Sequence, residues 1–265
     1  MTAAEPATCE VRVAAVGDVH VAADAAGRLR VELEGIAEQA DVLLLAGDLT
    51  HRGRPEEAEV LAGELADVGI PVVAVLGNHD YHTDQQHLVT EVLERRGVTM
   101  LEGDAVVLEL NGVRLGVAGT KGFGGGFAGR TASDFGEPEQ RAVVQYSKRL
   151  AAGLEAALAG LDADLKVALM HFSPVQETLT GEPREIHAFL GSDLLAEAVD
   201  RASADLALHG HAHRGSRTGT TAGGVPVRNV AKPVIGCPYE VFCLTARGPG
   251  MHPAAYAEAR ARRLG

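Results

Sequence analysis

Five short blocks of metal-capable side chains stand out in this 265-residue sequence. They are Gly17-Asp18-Val19-His20, Gly47-Asp48, Gly77-Asn78-His79-Asp80, a lone His171, and Gly210-His211-Ala212-His213. Carboxylate, imidazole and amide oxygen together suit borderline divalent ions such as Mn, Fe, Zn or Co. Two such ions about 3.5–4 Å apart can clamp the attacking and leaving oxygens of an in-line displacement at phosphorus. A hydroxide held between them is available near neutral pH, because a bound dication lowers the pKa of water to about 7 in the zinc case. Two mutually repelling cations also need a shared anion, and a carboxylate in the middle of the site can serve. The chemistry implied is metal-dependent hydrolysis of a phosphate ester.

Each residue alone has an ordinary structural reading. Asp18 can cap a following helix, Asp48 can belong to a turn, and Asn78 can occupy a left-handed turn position. His171 follows Met170 and can be a core histidine, while His209, His211 and His213 alternate like residues on one strand face. The functional reading gains its weight from where all the blocks fall.

Every block follows a short apolar run: Val11 to Val16, Val42 to Ala46, Val72 to Leu76, Val167 to Met170, and Leu206 to Leu208. These runs read as strands buried on both faces. Ligands bind beyond the C-terminal ends of strands in open α/β sheets, so the blocks would converge there. Between the runs, Arg28 to Gln39 places Leu29, Leu33 and Ile36 at helical spacing. Pro55 to Ala66 opens with a proline and glutamates suited to a first helical turn. Ala105 to Leu110, Asn111-Gly112 and Val113 to Ala118 read as a hairpin. Val225 to Val230 and Glu240 to Thr245 read as a late strand pair, with Pro226 confining the first to a sheet edge. Ala254 to Arg262 reads as a final helix. The mixture of βαβ units and hairpins implies an α/β fold with a pair of sheets flanked by helices. The expectation is one domain over 1–265, with a flexible start (1–10) and a C-terminal tail (248–265). The long connections 121–146 and 172–190 have no assigned role, although Gly122 to Phe127 and Arg130 would suit a flap over a substrate phosphate.

Composition narrows the partners. The net charge is −12 and Trp is absent, which disfavours a nucleic-acid polymer as partner and leads to the expectation of a small phosphorylated substrate. No run approaches the roughly 18 apolar residues of a membrane span, and no secretory leader is legible. The three cysteines fit no zinc spacing, and together these features lead to a cytoplasmic expectation. Oligomeric state is not legible.

The blocks resemble the calcineurin-like metallophosphoesterase superfamily, whose pattern runs D-x-H, G-D, G-N-H-[DE], H, G-H-x-H. The match extends in order from Asp18 to His213. The resemblance implies a four-layer α/β/β/α sandwich of two mixed sheets flanked by helices. It also implies one ion on Asp18, His20 and His213, another on Asn78, His171 and His211, and Asp48 bridging them. His79 would face the substrate phosphate as a catalytic residue, and Asp80 would orient the His79 ring. His209 falls outside the pattern and reads as structural, while His51 and His82 lie close enough for a supporting role. Within the superfamily, Gly-Asn-His-Asp is similar to small bacterial phosphodiesterases, including the cyclic nucleotide branch. Leu76 stands where protein phosphatases of the superfamily carry an arginine.

Three functions compete at this level. The first is a phosphodiesterase or phosphomonoesterase on a small soluble substrate. The second is a DNA nuclease resembling the double-strand-break repair type, which would need a basic surface that the net charge does not provide. The third is a non-catalytic scaffold, disfavoured because every ligand position and His79 are filled.

Overall fold

The structure, a computed structural model, describes residues 10–245. The expected tail helix Ala254 to Arg262 and nearly all of the 1–10 segment lie outside the described residues. One sheet contains β1 (Glu10–Val16), β2 (Val42–Ala46), β3 (Val72–Val75), β4 (Thr99–Met100) and β13 (Glu240–Thr245), in the order β13-β1-β2-β3-β4. A second contains β5 (Asp104–Leu110), β6 (Val113–Thr120), β9 (Leu165–Met170), β10 (Leu206–His209), β11 (Thr218–Thr220) and β12 (Pro226–Asn229). Its order is β11-β12-β10-β9-β6-β5. In the first sheet only the edge strand β13 runs antiparallel, whereas the parallel centre of the second is edged by antiparallel β11 and β5. A two-stranded ribbon, β7 (Gly126–Phe127) with β8 (Arg130–Thr131), stands apart.

The strand pleat sorts side chains into layers, because neighbours point to opposite faces. Along β2, Val42, Leu44 and Ala46 face the second sheet and pack with Leu115, Val117, Val167, Leu169 and Leu208. Leu43 and Leu45 face the other way, onto Ile36, Leu61, Leu65, Val89 and Leu93. Those partners come from the outer helices α2 (Ile36–Gln39), α3 (Pro55–Leu65) and α4 (Gln86–Glu94), and Leu29 of α1 (Arg28–Glu32) joins the same layer. On the far side, Ala118, Ala168, Met170 and Ala207 pack on Leu154 and Leu158 of α5 (Pro138–Ala159) and on Leu195 and Val199 of α7 (Asp193–Arg201). The layering is α/β/β/α, as the blocks implied.

Three local expectations change. The span Arg28 to Gln39 is two short helices, because Gly35 adopts a left-handed φ of 74° that ends one and starts the other. Val225 to Val230 and Glu240 to Thr245 do not pair with each other; β12 joins the second sheet and β13 flanks β1 in the first. Pro226 therefore sits in a strand with neighbours on both sides, and β11 is the edge. The sheet tolerates it because it is the first residue of its strand, beyond the Ala207↔Val227 pairing with β10.

Candidate metal centre

The C-terminal ends of β1, β2 and β3 in one sheet, and of β6, β9 and β10 in the other, point the same way. The loops leaving them bring all seven expected ligands together. Asp18, His20, Asp48 and His213 offer ligand atoms within 4.8 Å of one another, and so do Asp48, His171 and His211. Asp48 belongs to both groups. Its Oδ1 lies 3.3 Å from His171 Nε2, and its Oδ2 lies 3.7 Å from His20 Nε2. Asn78 Oδ1 is 2.9 Å from His171 Nε2, which adds the amide to the second group.

Hydrogen bonds fix how these rings are presented. His171 Nδ1 lies 2.9 Å from the Ala46 carbonyl, which can only accept, so that nitrogen carries the proton. In the neutral ring, Nε2 then presents a lone pair towards two oxygens that are themselves acceptors. Acceptors converging without a proton between them are the arrangement a cation would satisfy. The carbonyl behind the ring is the outer partner usual for a ligating imidazole. The fit of the donor set to divalent metal is therefore good.

Electrostatics sharpen the picture. Burial works against ionisation of Asp18, but the His213 hydrogen bond at 2.7 Å and the backbone N–H of His211 hold its carboxyl below the usual range. Its partner His213 is raised by the same bond. Burial holds His211 well below its ordinary value, assisted by the neighbouring His171, and holds His20 down as well. These rings are thereby kept neutral, the form that ligates metal. The backbone is strained at the same places: Asp18, His20, Asp48 and His211 all have positive φ, between 44° and 70°. Such non-glycine conformations cluster at functional sites, where surrounding structure enforces them.

Two glycines are required by close approach. A Cβ on Gly77 would lie 2.1 Å from Asp48 Oδ1, and one on Gly47, whose φ is 80°, would lie 2.6 Å from His171 Nδ1. Asn78 itself is αR with φ −70°, so the left-handed turn reading of that residue does not apply.

His79 lies against the ligand cluster, and its ring is not oriented by Asp80. The His79 ring packs edge-on to His20 at 4.4 Å between centroids, with Nε2 4.0 Å from Asp48 Oδ2. Its Nδ1 donates to the His51 carbonyl at 2.9 Å, so that carbonyl, and not Asp80, orients the ring. The Asp80 carboxylate is fully buried beneath the loops and accepts from the N–H groups of Leu49, Thr50 and Gly77 and from the Thr50 hydroxyl. Its donors come from the Asp48 loop and from Gly77, so the side chain turns away from His79 towards buried backbone. His51 also contributes a ring that, with His20 and His79, forms a third imidazole group, and His82 lies 6.5 Å from His79.

Arg130 stands outside this centre, exposed on β8. The glycine run beside it is no free flap. Gly125 N–H donates to Ala188 O and Gly126 N–H to Gly191 O, while Gly122, Gly124 and Phe127 are buried. That segment is a wall knitted to α6 (His187–Leu190), whose Phe189 carbonyl accepts from the His211 ring. His209 is structural as expected: buried, bonded to the Thr178 hydroxyl and the Gly210 carbonyl, and held down to about 4 by burial.

Sequence reasoning missed Lys121. It is buried directly after β6, and its ammonium is surrounded by the rings of Tyr81, Phe123, Tyr146 and Phe172. Burial pulls it down to about 8. Its one sequence signal was its place at the C-terminal end of a strand, the position shared by every ligand block.

Comparison with known proteins agrees with this geometry. The chain is 37% identical over 49 residues to the glycerophosphodiester phosphodiesterase GpdQ of Enterobacter lignolyticus, covering 18% of each chain. It is 32% identical over 93 residues to a probable cyclic nucleotide phosphodiesterase of Synechococcus, covering 31% of this chain and 35% of that one. The chain thus spans about a third or less of the length of these curated relatives. The crystal structure of phosphopantetheinyl hydrolase PptH from Mycobacterium tuberculosis superposes with a TM-score of 0.64 over 92% of this chain and 99% of that one. At 16% identity that likeness establishes the fold alone. Among the described residues no helix is long and apolar enough to cross a membrane. The sequence profile of the calcineurin-like phosphoesterases matches residues 11–215, which contain every ligand block, and the chain belongs to that family.

Proposed function

We propose that the chain hydrolyses phosphoester bonds of small soluble substrates at a centre of two divalent metal ions drawn from Mn, Fe, Zn and Co. Asp18, His20 and His213 would hold one ion, Asn78, His171 and His211 the other, with Asp48 shared between them. Bound there, the ions would activate water and clamp the oxygens exchanged at phosphorus. The observation that carries the reading is Asp48: its two oxygens face opposite ligand groups, 3.3 Å from His171 and 3.7 Å from His20.

The chain's own residues divide the remaining work. His79, tethered through Nδ1 by the His51 carbonyl, directs Nε2 to the face of Asp48 where substrate would enter. From there it would stabilise charge on the phosphate or protonate the leaving oxygen. Asp80 would act by holding the loops that carry Asp48 and Asn78. Arg130 would contact substrate only at the rim, and Arg130→Ala raising the Michaelis constant would support that contact. The names of the two curated relatives favour a diester, and the charge of −12 disfavours the nuclease alternative.

The test is turnover of bis(p-nitrophenyl) phosphate by protein loaded in turn with Mn, Fe, Zn and Co, with Asp48→Ala as control. Turnover by the wild type and none by the variant is expected. Metal-loaded wild type inert towards both mono- and diesters would overturn the reading.

A further inference from the structure

The register of the second sheet places one more residue beside the metal centre. Thr120 of β6 is paired with Met170 of β9, so the next residues, Lys121 and His171, lie side by side. The His171 N–H donates to the Lys121 carbonyl at 3.1 Å. Lys121 thus holds on β6 the place that His171 holds on β9.

Its ammonium is enclosed by rings, and its hydrogen bond goes to a carbonyl. The side chain is almost inaccessible, and Nζ lies 4.9 Å from the ring centres of Tyr81 and Phe123, 5.2 Å from Phe172 and 5.3 Å from Tyr146. The chain has six Phe, four Tyr and no Trp, so four of its ten aromatic rings surround this one group. Nζ donates to the Gly122 carbonyl at 3.2 Å, a neutral acceptor. The nearby Glu102 carboxylate accepts instead from the Lys121 backbone N–H and the Thr120 hydroxyl. Ring faces and a carbonyl stabilise an ammonium without cancelling it, as a carboxylate partner would.

A fixed cation beside a pocket that must collect dications repels them. Its presence is explained by an anion. Phe172 is the shared wall, for its ring also packs on the His211 ring at 4.3 Å between centroids, which puts the ammonium less than 10 Å from the centre of that ring. We propose that Lys121 is a positioning residue whose ammonium, bonded to a carbonyl and ring faces and not to a carboxylate, draws the substrate phosphate into the pocket and offsets the negative charge gained on attack. The proposal rests on the metal-dependent phosphoesterase reading above.

The experiment is calorimetric titration of orthophosphate into metal-loaded wild type, Lys121→Met, Lys121→Gln and Lys121→Arg, with metal content measured for each. Lys121→Met suits the aromatic box, and Lys121→Gln provides a second neutral variant should the first not fold. Both neutral variants are expected to keep their metals and bind phosphate about tenfold more weakly, the order for removing one charge within about 10 Å. They should raise KM more than they lower kcat, and Lys121→Arg should recover binding. A neutral variant with full metal content and wild-type phosphate affinity would overturn the proposal, as a purely structural strut predicts. A wild type that takes up neither metal nor phosphate would overturn the underlying reading as well.

Discussion

Asp80 and Thr50 are joined twice: Asp80 Oδ1 accepts the Thr50 N–H at 2.8 Å and the Thr50 hydroxyl at 2.6 Å. Its other oxygen accepts from Gly77 at 2.7 Å and Leu49 at 3.1 Å. One carboxylate therefore ties the loop carrying Asp48 to the loop carrying Asn78 and His79. Burial, with Asp48 nearby, holds that carboxyl above the usual range even though four donors point at it.

Asp80→Ala leaves those buried donors without acceptors, at about 1–3 kcal/mol each before relaxation. Thermal unfolding should show a Tm lowered by several degrees, and metal content should fall with it. Asp80→Asn, which keeps one acceptor oxygen and no charge, should cost less. An Asp80→Ala protein with wild-type Tm and metal content would contradict the role assigned.

His79→Gln separates chemistry from metal binding. The side chain is half-exposed and outside both ligand groups containing Asp48. Metal content and Tm should stay at wild-type values while kcat falls about 10²- to 10³-fold. Elemental analysis beside steady-state kinetics checks both, and loss of an ion would make His79 a ligand instead.

Gly47→Ala tests the packing behind the second ligand group. The new methyl would sit 2.6 Å from His171 Nδ1 at a φ of 80°, where an L-residue adds roughly 1–2 kcal/mol of backbone strain. The His171 ring must shift away from the Ala46 carbonyl. Metal titration should show one of the two ions bound at least tenfold more weakly; two unchanged affinities would contradict the geometry.

The sheet pair and its ligand loops were legible because strands buried on both faces read as unbroken apolar runs, and each ended in a ligand block. What was not legible depended on contacts distant in sequence. Asp80 beside His79 looks like its partner, yet the Thr50 and Gly77 donors that claim it come from a fold the pattern does not encode. Pro226 signalled an edge strand, since nothing in its neighbourhood announced that β11 would lie outside it. Gly35 stood inside a good helical spacing, and only its left-handed backbone shows why the helix breaks. Lys121 carried no motif at all; its meaning comes from four rings separated by up to 91 positions (Tyr81 to Phe172).

Away from the centre, Asp41 should mark the acid side of stability. Burial opposes its ionisation, but the Arg12 guanidinium and backbone N–H, at 2.8 and 2.7 Å, hold the carboxyl below its ordinary 3.8. A depressed carboxyl contributes stability that is full above the unfolded value and is lost as pH falls through the folded one. Asp41→Asn should therefore cost about 1 kcal/mol at pH 7. The difference from wild type should shrink below pH 3.8. Denaturant unfolding across that range checks it, and a difference that grows in acid would contradict the pairing.

The central claim is most directly tested by anomalous diffraction from crystals grown with manganese. Two peaks about 3.5–4 Å apart, on either side of the Asp48 carboxylate, are expected. One peak should lie among Asp18, His20 and His213, and the other among Asn78, His171 and His211. A single peak, or peaks that leave Asp48 unbridged, would contradict the account.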